Sequence, residues 1–245
     1  MKFILAEKRE MTQKFLPDGT VVPVTRVLAG PCVVTQIKNE KPDGYMAVQI
    51  GFGSKRKIAK SIKGQIKDLG NFRYLKEFRT DAAQTESLKT GDKLTAKIFA
   101  AGDIVKVTGV AKGLGFQGVV KRHGFHGSLA THGHKDQLRM PGSIGAGGNQ
   151  RVFKGVRMAG RMGGQQVTVT NLEIVEVNPD TNEIYIKGAI PGSRENLVLI
   201  SGVGDLIIAA EEVATESEEI KTEDKAEAVL EETPAQEVKA EEINS

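Results

Sequence analysis

The chain has little cysteine and no tryptophan. Cys32 is the single cysteine among 245 residues, and aromatic residues make up only 5% of the chain. Without a second cysteine an intramolecular disulfide is excluded, which is compatible with a reducing compartment. No apolar run approaches the roughly 18 residues that a membrane-spanning helix needs. These absences predict a cytoplasmic protein with no secretion signal and no membrane partner.

The net charge of +3 conceals a strong asymmetry along the chain. Residues 1–204 carry 31 basic and 17 acidic side chains, a net charge of +14, whereas residues 205–245 carry 3 basic and 14 acidic side chains, a net charge of −11. A polycationic body attracts polyanions through counterion release and long-range steering. The low apolar content and like charges of 205–245 predict a disordered acidic tail, which could solubilise the protein or shield its basic body.

Short runs rich in β-branched residues recur along the chain, with turn signals such as Asp18-Gly19 and Pro42-Asp43-Gly44 between them. The predicted strands are 21–28, 31–37, 45–52, 94–99, 104–110, 166–177, 183–190 and 196–200. Regularly spaced short strands favour a mainly β fold built on a closed or nearly closed barrel. We expect residues 1–111 to form the first part of the barrel and 165–204 its closing strands.

One helical pattern interrupts the strands. Ile58, Ile62, Ile66 and Leu69 follow each other at intervals of four, four and three, so they share one face of a helix. This predicts a small helical insertion near 54–80. The lysines around it form either a solvated charged face or a second contact with nucleic acid.

Residues 112–164 have a composition unlike the rest of the chain. They hold all four histidines, 14 of the 28 glycines, nine Lys or Arg residues and a single acid, Asp136. The few aliphatic side chains cannot offset the entropy of ordering so much glycine, so a partner outside the segment must order it. Glycine lets the backbone approach a partner closely, and the cations and N–H groups suit phosphates. The segment therefore predicts a nucleic-acid-binding extension of the barrel.

The glycines at 113, 115 and 118 match the Gly-x-Gly-x-x-Gly pattern of dinucleotide sites and of kinase loops. A dinucleotide site needs a helix after the third glycine, and residues 119–125 are β-branched, basic and broken by glycine, so no helix is expected there. No kinase catalytic motif follows downstream. We therefore predict no nucleotide cofactor and no small-molecule substrate.

His123, His126, His132 and His134 have spacings that could chelate a metal, but no thiol or paired carboxylate stands beside them. In a cationic, glycine-rich loop, histidine more often stacks on a base or donates to phosphate. No nucleophile elbow frames the nearby serines. The segment predicts neither a metal site nor catalysis, and so the chain is not expected to be an enzyme.

Six motifs, taken together and in order, resemble the bacterial large-subunit ribosomal protein L3 family, over roughly residues 1–201. The motifs are Lys112–Arg122 (KGLGFQGVVKR), Ala130–Gly133 (ATHG), Pro141–Gly145 (PGSIG), Arg151–Gly155 (RVFKG), Met158–Gly160 (MAG) and Lys187–Gly192 (KGAIPG). The resemblance implies a translation-protein-type β-barrel with a small α+β insertion. It also implies a long loop that enters large-subunit (23S-type) rRNA toward the peptidyl transferase region, early binding during subunit assembly, and contacts with neighbouring ribosomal proteins.

The candidate RNA-binding residues all lie in 112–164. The predicted phosphate contacts are Lys112, Lys121, Arg122, Arg139, Arg151, Lys154, Arg157 and Arg161. The predicted base or sugar contacts are His123, His132 and Asn149, and Gly113 and Gly115 are predicted to let the backbone approach the RNA. The alternative function is that of a generic basic nucleic-acid-binding protein or RNA chaperone, without preference for ribosomal RNA.

Overall fold

The computed structural model describes residues 1–66, 69–81, 85, 88–204 and 206. Its strands are β1 (Lys2–Phe15), β2 (Val21–Ala29), β3 (Cys32–Lys38), β4 (Ala47–Ser54), β5 (Phe72–Arg79), β6 (Lys93–Leu94), β7 (Ile104–Val110), β8 (Gly115–Gln117), β9 (Gly160–Met162), β10 (Gln166–Asn178), β11 (Glu183–Lys187) and β12 (Leu197–Gly202). The described helices are α1 (Glu40–Asp43), α2 (Lys60–Ile66) and α3 (Val119–His123), with short 3-10 helices at Ala96–Ile98 and Lys135–Gln137. Apart from Leu206, the predicted acidic tail lies outside the described residues.

Six antiparallel strands form a closed barrel in the order β1-β12-β7-β10-β11-β2. The long β1 closes it, because its first half pairs with β12 and its second half with β2. A register shift between Lys8 and Met11 marks a bulge, which bends the strand as it passes from one partner to the other. The mainly β fold with a closed barrel is thus confirmed. No described helix is long and apolar enough to cross a bilayer.

A second, four-stranded sheet in the order β5-β4-β3-β6 packs beside the barrel. It is larger than the helical insertion expected near 54–80, since it includes 32–38 and 47–54, which were expected among the barrel strands. It also places strand β5 at Phe72–Arg79, inside the range expected to be helical. Alternation of apolar and polar residues predicts strands well but does not show to which sheet a strand belongs.

The barrel and the second sheet share one hydrophobic core. Phe3 of β1 stacks on Phe78 of β5, with ring centroids 4.7 Å apart and 16° between the ring planes. Cys32, the first residue of β3, donates from its Sγ to the carbonyl oxygen of Leu5 at 3.3 Å. Because residues from both sheets contact each other across this junction, the second sheet stabilises the end of the barrel from which β1 starts.

Two local predictions need correction. The strand expected at 94–99 is a 3-10 helix over Ala96–Ile98, in which Ala96 and Ile98 are both buried. Helix α2 begins at Lys60, so Ile58 precedes it, and among its residues only Ile66 is buried. Only the end of this short helix reaches the second sheet, where Gln65 Nε2 donates to Gln36 Oε1 at 3.2 Å.

The junction thiol provides a probe of unfolding. Cys32 is fully buried, and this burial raises the pKa of its thiol to about 12. Since the thiolate is the reactive form, we expect iodoacetamide at pH 8 to modify the native protein at least about 100-fold more slowly than the urea-unfolded chain. The measurement is mass-spectrometric labelling kinetics. Native labelling as fast as that of the unfolded chain would contradict the packed junction.

Candidate nucleic-acid interface

The extension over 112–164 continues directly from the ends of barrel strands β7 and β10. Beyond the barrel ladder, the Ala111 amide donates to the Gln165 carbonyl at 2.8 Å and the Leu114 amide donates to the Met162 carbonyl at 2.9 Å. Strands β8 and β9 then pair antiparallel, with Phe116 opposite Arg161. The two arms therefore leave the barrel as a hydrogen-bonded ribbon, whose direction is set by the barrel itself.

Helix α3 and a backbone carbonyl lock the two arms together just beyond the ribbon. Arg122 Nη1 donates to the Met158 carbonyl oxygen at 2.7 Å, and His123 Nε2 lies 3.1 Å from the same oxygen. Gly160 leaves the space for the guanidinium, because a Cβ built there would lie 2.6 Å from Arg122 Nη1. We call the contact of Arg122 and His123 with Met158 the clamp. It joins positions 36 and 35 residues apart in the chain.

The expectation that no helix follows Gly118 is wrong, since α3 starts at Val119. The helix has only five residues and ends at Gly124, whose backbone is left-handed at φ 74°. Val119 is the one buried residue of the extension, and its side chain anchors this turn. The dinucleotide interpretation still fails on context, because β7 lies in an antiparallel barrel and 115–117 form a strand of the ribbon instead of a tight phosphate-binding turn.

The outer part of the extension, 124–157, contains no paired strands and no buried residue. Turns shape it, and several have left-handed backbone conformations, including the non-glycine residues His132 at φ 60° and Lys135 at φ 34°. Near the start of this outer part, the Ser128 amide donates to the Leu138 carbonyl at 2.9 Å and so joins its two sides. The structure thus agrees with a segment that lacks an apolar core and presents its side chains outward.

Among the described residues, the cations of the extension have no acidic partners. No Lys or Arg side chain of 112–164 forms a salt bridge with a carboxylate of any described residue. The described salt bridges lie in the barrel and the second sheet, as in the pairs Lys14–Glu176 and Lys187–Glu173. The excess positive charge of the body is therefore concentrated on the extension, where it remains available for an external polyanion.

The positive surface continues onto the rim of the barrel. Lys8 Nζ donates to the carbonyl oxygens of Ile190 and Gly192, at 2.7 and 3.0 Å. Partial burial, and secondly the nearby charge of Lys112, lower the pKa of Lys8. The first cation of the extension therefore lies close enough to Lys8 to join it in one positive field.

Most of the predicted RNA contacts are solvent-exposed. The exposed members are Lys112, Gly113, Gly115, Lys121, His132, Arg139, Asn149, Arg151, Lys154, Arg157 and Arg161. Arg122 and His123 are half-buried because they form the clamp. Their first role in the free protein is thus to position the arms, which the sequence did not suggest. The remaining donors of the Arg122 guanidinium can still face a phosphate.

A cleft of about 390 Å³ brings together residues that are distant in the chain. His123 and Arg157 line it, as do Phe125 and His126. Stacking and donor groups next to an arginine are the chemistry that an unpaired base and its phosphate require. Among the described residues, no three His, Cys, Asp or Glu side chains converge in a way that could hold a metal ion.

The lysines around α2 form a separate basic surface on the second sheet. Lys55, Lys57, Lys60 and Lys63 are exposed there. Their proposed role as a second nucleic-acid contact stays a prediction.

Comparison with known proteins connects this geometry to a family. A family model described as ribosomal protein L3 matches residues 75–188, which include the end of β5, β6, β7, the whole extension, β10 and β11. The large ribosomal subunit protein uL3 of Desulfitobacterium hafniense is 46% identical over 203 residues, covering 81% of this chain and 94% of that protein. The corresponding proteins of Roseiflexus sp. and Pelobacter propionicus are 48% and 50% identical, covering 80% and 81% of this chain and 95% and 96% of their own lengths. The chain belongs to the uL3 family of large ribosomal subunit proteins.

Proposed function

We propose that the chain is a structural, non-catalytic constituent of the large ribosomal subunit, and so works in the cytoplasm within the ribosome. Its partners there are large-subunit rRNA and neighbouring ribosomal proteins. The barrel rests on the RNA surface, and the extension over 112–164 enters a crevice between RNA helices toward the peptidyl transferase region. Binding early in assembly would let the RNA fold around the extension.

The observation that carries this proposal is the combination of unpaired cations with a directed ribbon. Nine Lys or Arg residues on one segment lack acidic partners among the described residues, and the ribbon and the clamp give that segment a fixed origin on the barrel. Two arms of about 25 residues could extend at most roughly 80 Å, at about 3.3 Å per residue. The extension is therefore long enough to neutralise phosphates well inside a folded RNA.

Co-sedimentation with large ribosomal subunits tests the proposal directly. We expect the chain to associate with subunits that lack their own copy, to stay bound at moderate salt, and to resist competition by bulk duplex DNA. A generic basic nucleic-acid-binding protein would instead transfer to the DNA. That transfer would favour the alternative function.

The salt dependence of binding tests the phosphate contacts. If about six phosphates are neutralised, the slope of log affinity against log salt should be near −4 to −5, and replacing Arg157 and Arg161 by alanine should flatten it by roughly two. The matched control replaces Lys14 and Lys187, which already pair with carboxylates on the barrel, and should leave the slope unchanged. Fluorescence anisotropy with an rRNA fragment measures both. Equal slopes for the two double variants would reject these contacts.

A further inference from the structure

Negative charge that would complement the cations of the extension lies within the same chain. Residues 205–245 carry 14 acidic and 3 basic side chains, a net charge of −11, against a net charge of +8 on residues 112–164. The described barrel carboxylates Glu173 and Glu176 already pair with the barrel lysines Lys187 and Lys14. The largest block of net negative charge in the sequence is the C-terminal segment.

The comparisons indicate that this segment is an addition to the shared protein. Three uL3 proteins are covered over 94 to 96% of their own lengths, whereas only 80 to 81% of this chain is covered. The unmatched fifth is close in length to the 41 residues of 205–245. Those relatives have too few unmatched residues to contain a comparable segment, so any role of its charge would be additional to the function common to the family.

The strand register shows that the segment starts within reach of the extension. Gly202 of β12 pairs with Val105 and Val198 pairs with Gly109, so the chain leaves β12 at the end of β7 opposite to the extension. The extension leaves β7 after Val110, five residues further on, a distance of roughly 17 Å at about 3.3 Å per residue. A segment of 41 residues would be about 60 Å long even if it were entirely helical.

We propose that residues 205–245 bind the cationic surface of the extension within the same chain and compete there with RNA. Tethering gives such a competitor an effective concentration on the order of millimolar. Non-specific nucleic-acid binding, with Kd values of roughly 10⁻⁴ to 10⁻⁶ M, would then be weakened, while a tighter cognate rRNA site displaces the segment. The displacement of the segment by rRNA rests on the proposed function, but the intramolecular contact does not.

Cross-linking of the full chain without RNA tests the contact. A carbodiimide joins carboxylates to lysines that touch them, so we expect links from 205–245 to the four lysines of the extension, Lys112, Lys121, Lys135 and Lys154. Mixing isotopically labelled and unlabelled chains separates links within a chain from links between chains. The proposal would be overturned if 205–245 were linked only to Lys55, Lys57, Lys60 and Lys63, or if no link to the extension formed at low salt. Either outcome would count whether or not the protein binds rRNA.

Binding to a non-cognate duplex RNA tests the competition. The variant is the full chain with the 14 acidic residues of 205–245 replaced by their amides, which keeps the length and removes the charge. At about 50 mM salt we expect its affinity to exceed that of the unmodified chain by roughly 3- to 10-fold, and at about 300 mM salt the two should converge as screening increases. Equal affinities at low salt would overturn the proposal.

Discussion

Replacing Phe3 by alanine should lower the free energy of unfolding by about 3–5 kcal/mol, the usual range for removing a buried phenyl ring. Phe3 is fully buried and stacks on Phe78 where the barrel meets the second sheet. The substitution leaves a cavity between two sheets whose strands are fixed by their own hydrogen bonds. Because neither sheet can collapse into the cavity without breaking its ladder, the cost should lie toward the upper end of the range.

The matched control for this prediction is Phe116→Ala. Phe116 lies on the ribbon with 77% of its surface exposed, so the same truncation should change the free energy of unfolding by less than about 0.5 kcal/mol. Urea denaturation followed by circular dichroism measures both variants. If Phe3→Ala and Phe116→Ala were equally stable, the shared core would not be the source of cohesion between the two sheets.

The strands that the sequence predicted well are those with short apolar alternation between clear turns. Ile104–Val110 was predicted with both bounds correct, and the predicted strands 166–177 and 183–190 correspond to the antiparallel pair β10 and β11. Strand β1 was missed, although it is the longest of the described strands. After Phe3, Ile4 and Leu5 its sequence is mostly charged and polar, because its second half lies on the exposed side of the barrel. Backbone pairing with β2 holds that half in place, and pairing leaves no pattern in the side chains.

The candidate site was predictable in composition but not in architecture. Uncompensated charge and an excess of glycine can be counted in the sequence, and both predicted an exposed cationic extension. The clamp could not be predicted from the sequence, because Arg122 and His123 contact the backbone carbonyl of Met158, a group that every residue type carries. For the same reason the sequence alone could not distinguish cations that position the arms from cations left free for RNA.

Replacing Gly163 by alanine should lower the affinity for rRNA about tenfold or more, which corresponds to at least about 1.4 kcal/mol. Gly163 has a left-handed φ of 73°, which costs an alanine roughly 1–2 kcal/mol. A Cβ there would also overlap the carbonyl oxygen of Lys112 on the opposite arm. The arms must separate to relieve that overlap, so the ribbon would lose its pairing and the extension its direction from the barrel.

Substitutions at two further glycines separate the cost of a left-handed φ from the effect of the overlap with Lys112. Gly155 in the outer extension and Gly102 in a barrel turn have left-handed φ values of 85° and 88°, and neither has an atom within 4 Å of a built Cβ. Gly155→Ala should therefore weaken rRNA binding less than Gly163→Ala does, and Gly102→Ala should not weaken it. Hydrogen exchange supplies an independent measurement, since the Leu114 amide donates across the ribbon to Met162 and should exchange faster only in Gly163→Ala. The extension buries only one residue, Val119, and so contributes little to the stability of the barrel. The melting temperature of the barrel should therefore hardly change in Gly163→Ala. Weakened binding with unchanged exchange at Leu114 would mean that the ribbon does not orient the extension.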